Sequence, residues 1–395
     1  MRSRRSLGTL LACQCALSAA LALSFPFFAI YLHRARGLSM GLVGLALSLT
    51  MLSTAFSQGF GGELSDLWGS KRVMELALAL RSLTAAGMGL AMGLGPTWLL
   101  VGLGVLSSFL GAFFEPAIRS WVAEEYPAHQ RASAYGSLRV AMNLGWAVGP
   151  ALGGLLAERS YPLMFAGTAV VCALCLGALR WGLEDDGPAR EAPFSLRGVM
   201  SAAGDARLLE FCACGLLLAV VMSQLVVSLS VHSVRFAALS EREVGLLFGL
   251  NGLVVILTQR WITGLMRRLR LSLVLACGSL LYALGYGWVG WARGFPLMAS
   301  AVVVVSLGEV VAAPGLQALA VNLAPARLKG RYLGFQGLTS QAGSALGPLL
   351  GGLALQHLSP RWPGAPWLLV AATGAVAGLG FYRLGRRLSP QEEGL

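Results

Sequence analysis

Charge is scarce in this chain of 395 residues: Asp, Glu, Lys and Arg make up 12% of it, against 56% apolar residues and a mean hydropathy of +0.69. A soluble fold of that balance would expose apolar patches far larger than water tolerates, so lipid must be the solvent for most of the surface. Histidine is nearly absent, with four in all; His129, His232 and His357 fall at the ends of apolar runs and His33 in a connection. No His, Cys, Asp or Glu grouping has metal-ligand or nucleophile spacing, which argues against an enzyme and against a bound metal. A phosphate-cradling Gly-x4-Gly-Lys-Ser/Thr stretch is also lacking, so ATP is not the expected energy source and no cofactor is expected beyond a proton gradient. The seven cysteines all lie inside apolar runs, where a thiol behaves as a small buried hydrophobe, and they imply no disulfide framework. Net charge is +12, but the basic residues come in small groups between apolar runs, without the continuous stripe that nucleic acid requires.

What is present in abundance is apolar sequence of membrane-spanning length. About 20 apolar residues cross a hydrocarbon core of about 30 Å, and such runs lie at about 7–31, 39–61, 74–94, 98–118, 133–157, 162–182, 207–231, 243–263, 273–292, 296–319, 333–357 and 365–383. The first run follows Arg2, Arg4 and Arg5 and is too long for a signal-peptide core, so it reads as a first span. With the N-terminus inside, 21 of the 30 basic residues fall in inside segments and seven outside, leaving Arg81 and Arg139 within spans. That bias places both termini in the cytoplasm of a cell membrane of the bacterial inner-membrane type. The expected fold is all-α, with 12 transmembrane helices in two pseudo-symmetric six-helix bundles. The expected domains are 1–182, a cytoplasmic linker at 183–206, a second bundle at 207–383 and a tail at 384–395. Residues 195–206 of the linker could form a short interfacial helix.

The two halves repeat. Shifted by about half the chain length, Pro116, Pro127, Gly136, Gly145, Gly149, Pro150, Gly153 and Gly154 coincide with Pro314, Pro325, Gly334, Gly343, Gly347, Pro348, Gly351 and Gly352. Residues that dictate backbone geometry recurring in one ungapped register imply one fold used twice, with a substrate path between the halves near mid-membrane. Glycines four apart line one helix face and let a neighbouring backbone approach. Each proline should bend its span, because it removes an amide donor and crowds the carbonyl four residues earlier.

These motifs resemble the major facilitator superfamily over essentially the whole chain. The loop expected between spans 2 and 3, from Gly62 through Leu64, Asp66 and Gly69 to Lys71 and Arg72, is similar to the superfamily's first signature. Gly149-Pro150 resembles the span 5 antiporter motif, and Gly308-Glu309, Pro314, Pro325, Gly330-Arg331-Tyr332 and Gly347-Pro348 resemble the drug:proton antiporter branch. The resemblance implies that the Gly62–Arg72 segment acts as a conformational latch, with Asp66 in a gating or structural role. Two positions depart from it. Ser70 stands where an arginine is expected, and Ser107 stands four residues before Gly111 where many drug antiporters carry one, so the proton relay assigned to that arginine cannot be carried over.

An ionisable group within a span costs about 2.5–3.5 kcal/mol on insertion scales and is a functional candidate by default. Here the group comprises Glu309, Glu115, Arg139 and Arg81. At ~1.5 Å per residue Glu309 lies about 20 Å below the outer end of span 10, with no basic neighbour on its own helix. Glu115 and Arg139 could pair between consecutive spans, and Arg81 could serve either acid. Desolvation penalises a charged Glu309, which suits a proton carrier; structural hydrogen bonding and substrate contact stay open for it. Asn143, Gln341, Asn251, Gln224 and Gln336 are the cavity-lining candidates, with interhelical hydrogen bonding the plainer alternative.

The expected function is secondary active transport by alternating access, most simply proton-coupled export of lipophilic or drug-like molecules. Uptake of a small polar solute and lipid translocation are the alternatives. Expected partners are a small-molecule substrate, protons and the lipid bilayer, with no nucleic acid, and the chain is expected to act as a monomer.

Overall fold

The computed structural model describes residues 2–126, 128–183, 201–266, 269–325 and 329–394. Among them all regular structure is helical: α1 Arg2–Arg34, α2 Met40–Trp68, α3 Ser70–Leu94, α4 Thr97–Gly111, α5 Phe114–Glu125, α6 Ala128–Ala157 and α7 Tyr161–Gly182 in the first half. The second half has α8 Ala206–Ser223, α9 Ser228–Arg235, α10 Glu241–Met266, α11 Leu271–Val289, α12 Gly294–Leu323, α13 Lys329–His357 and α14 Ala365–Gly385. Among the described residues eleven stretches are long and apolar enough to cross a bilayer, α4 with α5 and α8 with α9 each counting as one. The twelfth expected span is α13, whose Gln336, Thr339, Ser340, Gln341 and Ser344 make it more polar than the rest.

The two broken spans have different causes. Pro116 lies in the first turn of α5 and has no amide to offer the Ala112 carbonyl, so the helix lapses at Ala112 and Phe113. Between α8 and α9 there is neither Pro nor Gly; Gln224 occupies the break instead. Its amide donates to the carbonyls of Val220 and Gly347, both at 2.9 Å, and its Oε1 accepts from Ser228 Oγ at 2.6 Å. Pro150 and Pro348 lie inside uninterrupted α6 and α13.

The Gly62–Arg72 segment is not a loop. Helix α2 runs on to Trp68 and α3 starts at Ser70, so the junction is Gly69 alone, at φ 87°. A side chain there would be strained, which is why glycine holds the position. The side chain of Asp66 lies outside the described residues. Residues 184–200 of the expected linker also lie outside them, and Ser201–Gly204 forms a single 3-10 turn.

The chain divides into two compact units, 1–36 with 49–194 and 240–249, and 37–48 with 195–239 and 250–395. The boundary falls within the expected linker, but two short segments cross over: the first turns of α2 belong to the second unit and those of α10 to the first. Within the first unit, Gly145, Gly149 and Gly153 present one bare face of α6 to the α1 backbone. A methyl on Gly149 would overlap the Ala19 carbonyl and lie 2.8 Å from Ala22 Cβ. Gly154 faces the Glu241 carbonyl of α10, where Glu241 also accepts from Arg34 at 3.0 Å and from the Tyr161 hydroxyl at 3.1 Å. In the second unit Gly343 and Gly347 meet α8, and Gly351 meets Gln224 and Ser228. Gly352 faces Met40 and Gly44 of α2, beside Gln356, which accepts from the Gly41 amide at 2.8 Å. The sequence repeat is thus a repeat of packing roles, glycine for glycine.

The tail folds back onto its own unit rather than trailing from it. Glu393 is 2% exposed, and its carboxylate accepts from the amide and hydroxyl of Ser272, capping the start of α11. Arg207 at the start of α8 donates to Glu392 at 2.6 Å, and Arg387 donates to Glu210 at 3.1 Å. Asp205 caps α8; burial works against its charge, but the amides of Arg207 and Leu208, the Tyr332 hydroxyl and the Arg207 guanidinium hold it below the ordinary carboxylate range. The Ser389 amide, opposed by partial burial and aided by the Ser389 hydroxyl and Arg207, lowers Glu392 likewise.

Candidate functional site

Each unit carries its own intramembrane polar group. In the second unit, Glu309 is half-buried on α12. Asn251 of α10 donates one amide nitrogen to Glu309 Oε2 at 3.1 Å and to Ser306 Oγ at 2.9 Å. Ser306 sits one turn before Glu309 on the same helix face, and its hydroxyl donates to the Val302 carbonyl at 2.7 Å. Beside them α11 places Tyr282 and Tyr286, 2% and 0% exposed and stacked at 6.0 Å, within electrostatic reach of Glu309. Two cavity candidates, Asn251 and Gln224, therefore take different places: Asn251 joins the acid, whereas Gln224 is consumed in the helix break.

In the first unit, Glu115 lies at the start of α5. It accepts from Gln14 Nε2 of α1 at 2.7 Å and pairs with Arg119, one turn further on, at 3.4 Å. Those two residues take the place expected for Arg139, which is exposed on α6. Arg81 of α3 lies within electrostatic reach of Glu115 and of Cys172. Its guanidinium rests on α4 at Gly111, where any Cβ would overlap it. Its Nε is fully shielded with no hydrogen-bond partner among the described residues.

The remaining candidates are scattered. Asn143 and Gln341 are half-buried at equivalent positions of α6 and α13, and Gln336 donates to Ser340 at 2.8 Å within α13. In the Gly62–Arg72 segment Lys71 is buried and Arg72 exposed, while Ser70, the departure from the signature, donates to Glu124 of α5 at 3.3 Å. Sequence reasoning passed over Tyr282, Tyr286 and Ser306. The i, i+4 spacing of the tyrosines and the i, i+3 spacing of Ser306 with Glu309 were the available signals.

Apolar helices of spanning length with glycine-lined repeats mark a polytopic membrane protein, and comparison with known proteins places it. The model of the Major Facilitator Superfamily matches residues 10–272 and 214–394, and the chain belongs to that family. It is 26% identical to the multidrug resistance protein MdtH of Escherichia coli, over 92% of this chain and 90% of that one. It is also 26% identical to the uncharacterized MFS-type transporters YdeE of E. coli and YttB of Bacillus subtilis, over 90% and 85% of both partners. Among solved structures it superposes on a peptide-complexed POT family transporter with a TM-score of 0.81 at 15% identity, covering 97% of this chain and 96% of that one. For the nucleoside transporter NupG the TM-score is 0.80 at 12% identity, covering 96% and 99%. The protein is a multi-pass membrane transporter that works by alternating access, and its relatives are transporters rather than enzymes.

Proposed function

We propose that this chain is a proton-coupled exporter of lipophilic or drug-like small molecules and that Glu309 carries the coupled proton. The observation that carries the reading is the chemistry around Glu309. Asn251 holds the carboxyl at 3.1 Å, and an amide can donate to the charged form or, turned over, accept from the neutral one, so this partner can satisfy both. Glu115, by contrast, has its oxygens engaged by the Gln14 amide and the Arg119 guanidinium. The drug-like cargo is supported by the apolar spans with few polar groups and by the similarity to a multidrug resistance protein. The same reading puts the chain in a bacterial inner membrane, as a monomer with both termini cytoplasmic and a proton gradient as its energy source. Uptake of a polar solute is the rival, since peptide and nucleoside transporters share the fold.

The test is purified protein in liposomes under an imposed pH gradient, with a panel of lipophilic cations, neutral compounds and acids. Wild type should move at least one compound against the proton. Glu309→Gln should abolish uphill movement and keep downhill exchange, while Glu115→Gln keeps both. Loss of gradient dependence in the Glu115 variant alone would move the proton to α5.

A further inference from the structure

We infer that Arg81 is the anion-recognition group of a subsite inside the first unit, and that it receives a carboxylate carried by an otherwise apolar substrate. The inference rests on the transporter reading only in assigning that carboxylate to cargo.

The subsite is a cavity walled by α1, α2, α3, α4 and α7, with about 60 Å³ open to the centres of water-sized molecules and about 490 Å³ when the space at its mouth is counted. A single water needs about 10–15 Å³ by the first measure, so roughly four would fit, as would a carboxylate head. The smaller figure lies below the range of about 300–1,000 Å³ typical of whole small-molecule sites, so the cavity takes a head group and leaves the rest of the molecule at its mouth.

Three features make it an acid's site. First, Arg81 lines the cavity, and among the described residues its guanidinium has neither a hydrogen bond nor an ion pair. A guanidinium is a fork of donors matched to the two oxygens of a carboxylate, and leaving it unpaired within a span is costly. Second, Gly111 fixes its position, because any side chain there would occupy the guanidinium's place. Ser107 and Ser108 precede Gly111 by four and three residues, so both share its face of α4, and both line the cavity with Arg81. Third, the rest of the wall includes Phe25 and Phe165, apolar surface for the body of the same molecule.

Glu115, just past the lapse at the start of α5, is the obvious internal partner. Its oxygens instead accept from Gln14 and Arg119, so it offsets the charge of Arg81 at a distance without occupying its donors. The subsite thus keeps a directional cation available while the net charge around it stays low.

The test uses purified full-length protein in detergent at fixed pH, where no gradient exists, so its outcome is separate from that of proton coupling. Binding is read from tryptophan fluorescence and from thermal protection, with 4-phenylbutyrate, its amide and chloride as probes. The acid should bind wild type at least tenfold more tightly than the amide. Arg81→Gln should erase the difference, and Arg81→Lys should keep part of it. Ser107→Phe, which fills the cavity with the charge intact, should weaken acid and amide together. Equal affinity of acid and amide for wild type overturns the proposal without any variant. Persistence of the preference in Arg81→Gln also overturns it, as does chloride alone protecting as well as the acid, which would make the site a resident inorganic-anion site.

Discussion

The repeated glycines of α6 and α13 face different kinds of atom, and that difference sets a measurable asymmetry. Gly149→Ala would drive a methyl into the Ala19 carbonyl, 3.0 Å from Ala19 Cα and 2.8 Å from Ala22 Cβ. Two of these three are backbone atoms, so the clash is relieved only by moving α1 away from α6, and overpacking of this kind costs about 1–3 kcal/mol. Gly347→Ala would instead meet the Ser223 hydroxyl most closely, with Ser223 Cβ at 2.9 Å and the Val220 carbonyl at 3.0 Å. Ser223 can rotate its hydroxyl aside, giving up its 2.8 Å hydrogen bond to Val220, a loss of about 0.5–1.5 kcal/mol, and a small shift accommodates the Cβ. Thermal unfolding of the purified variants should therefore place Gly149→Ala below Gly347→Ala. Adding Ser223→Ala to Gly347→Ala should recover part of the loss, because it removes the nearest atom. Equal destabilisation at both sites, or no recovery in the double variant, would refute the argument that the kind of neighbour decides the cost.

Gly69→Ala should lower stability by about 1–3 kcal/mol, since an L residue at φ 87° is strained; a melting temperature unchanged from wild type would show that the α2–α3 junction relaxes freely. Glu393→Ala removes a cap from α11 and should cost about 1 kcal/mol, read as earlier proteolysis of the tail. Glu392 sits lower in the folded protein than when free, so its contribution to tail docking is full at neutral pH and disappears as pH falls through its folded value. A fluorophore on the tail should report docking at pH 7 and release only below about pH 4; release on raising the pH would contradict the sign.

Much of the fold was legible because lipid simplifies the code. Span length, the distribution of Arg and Lys, and the register of glycines are one-dimensional quantities, and each maps onto one feature of the helices. The break at Pro116 has a missing amide behind it, but Pro150, Pro314 and Pro348 lack the same amide inside continuous helices, so proline alone does not mark a break. The break at 224–227 has no such signal at all, because its cause is Gln224 reaching the Gly347 carbonyl 123 residues away. The Gly62–Arg72 segment was legible as a motif and misread as a loop: its polar residues end the hydrophobic run at about residue 61, but helical backbone continues past it to Trp68. Hydropathy marks where lipid ends, not where hydrogen bonding does.

The intramembrane charges show the same limit more sharply. Depth and neighbours along one helix single out Glu309, and Asn251 appears in the sequence only as one of several amides on apolar helices. Their pairing at 3.1 Å depends on how α10 meets α12, which no spacing encodes. For Arg81 the deciding residue is a glycine on another helix. Ser107 and Gly111, met in sequence, mark the absence of an arginine from α4. In space the same two residues form a seat, and α3 supplies the guanidinium that lies in it. A charge can thus occupy a given place in a bundle from whichever helix can reach it, provided the facing helix is bare there. Intramembrane charge in such a chain is therefore best located by searching for glycines that a neighbouring cation or acid would have to cross, and Gly111 is such a glycine.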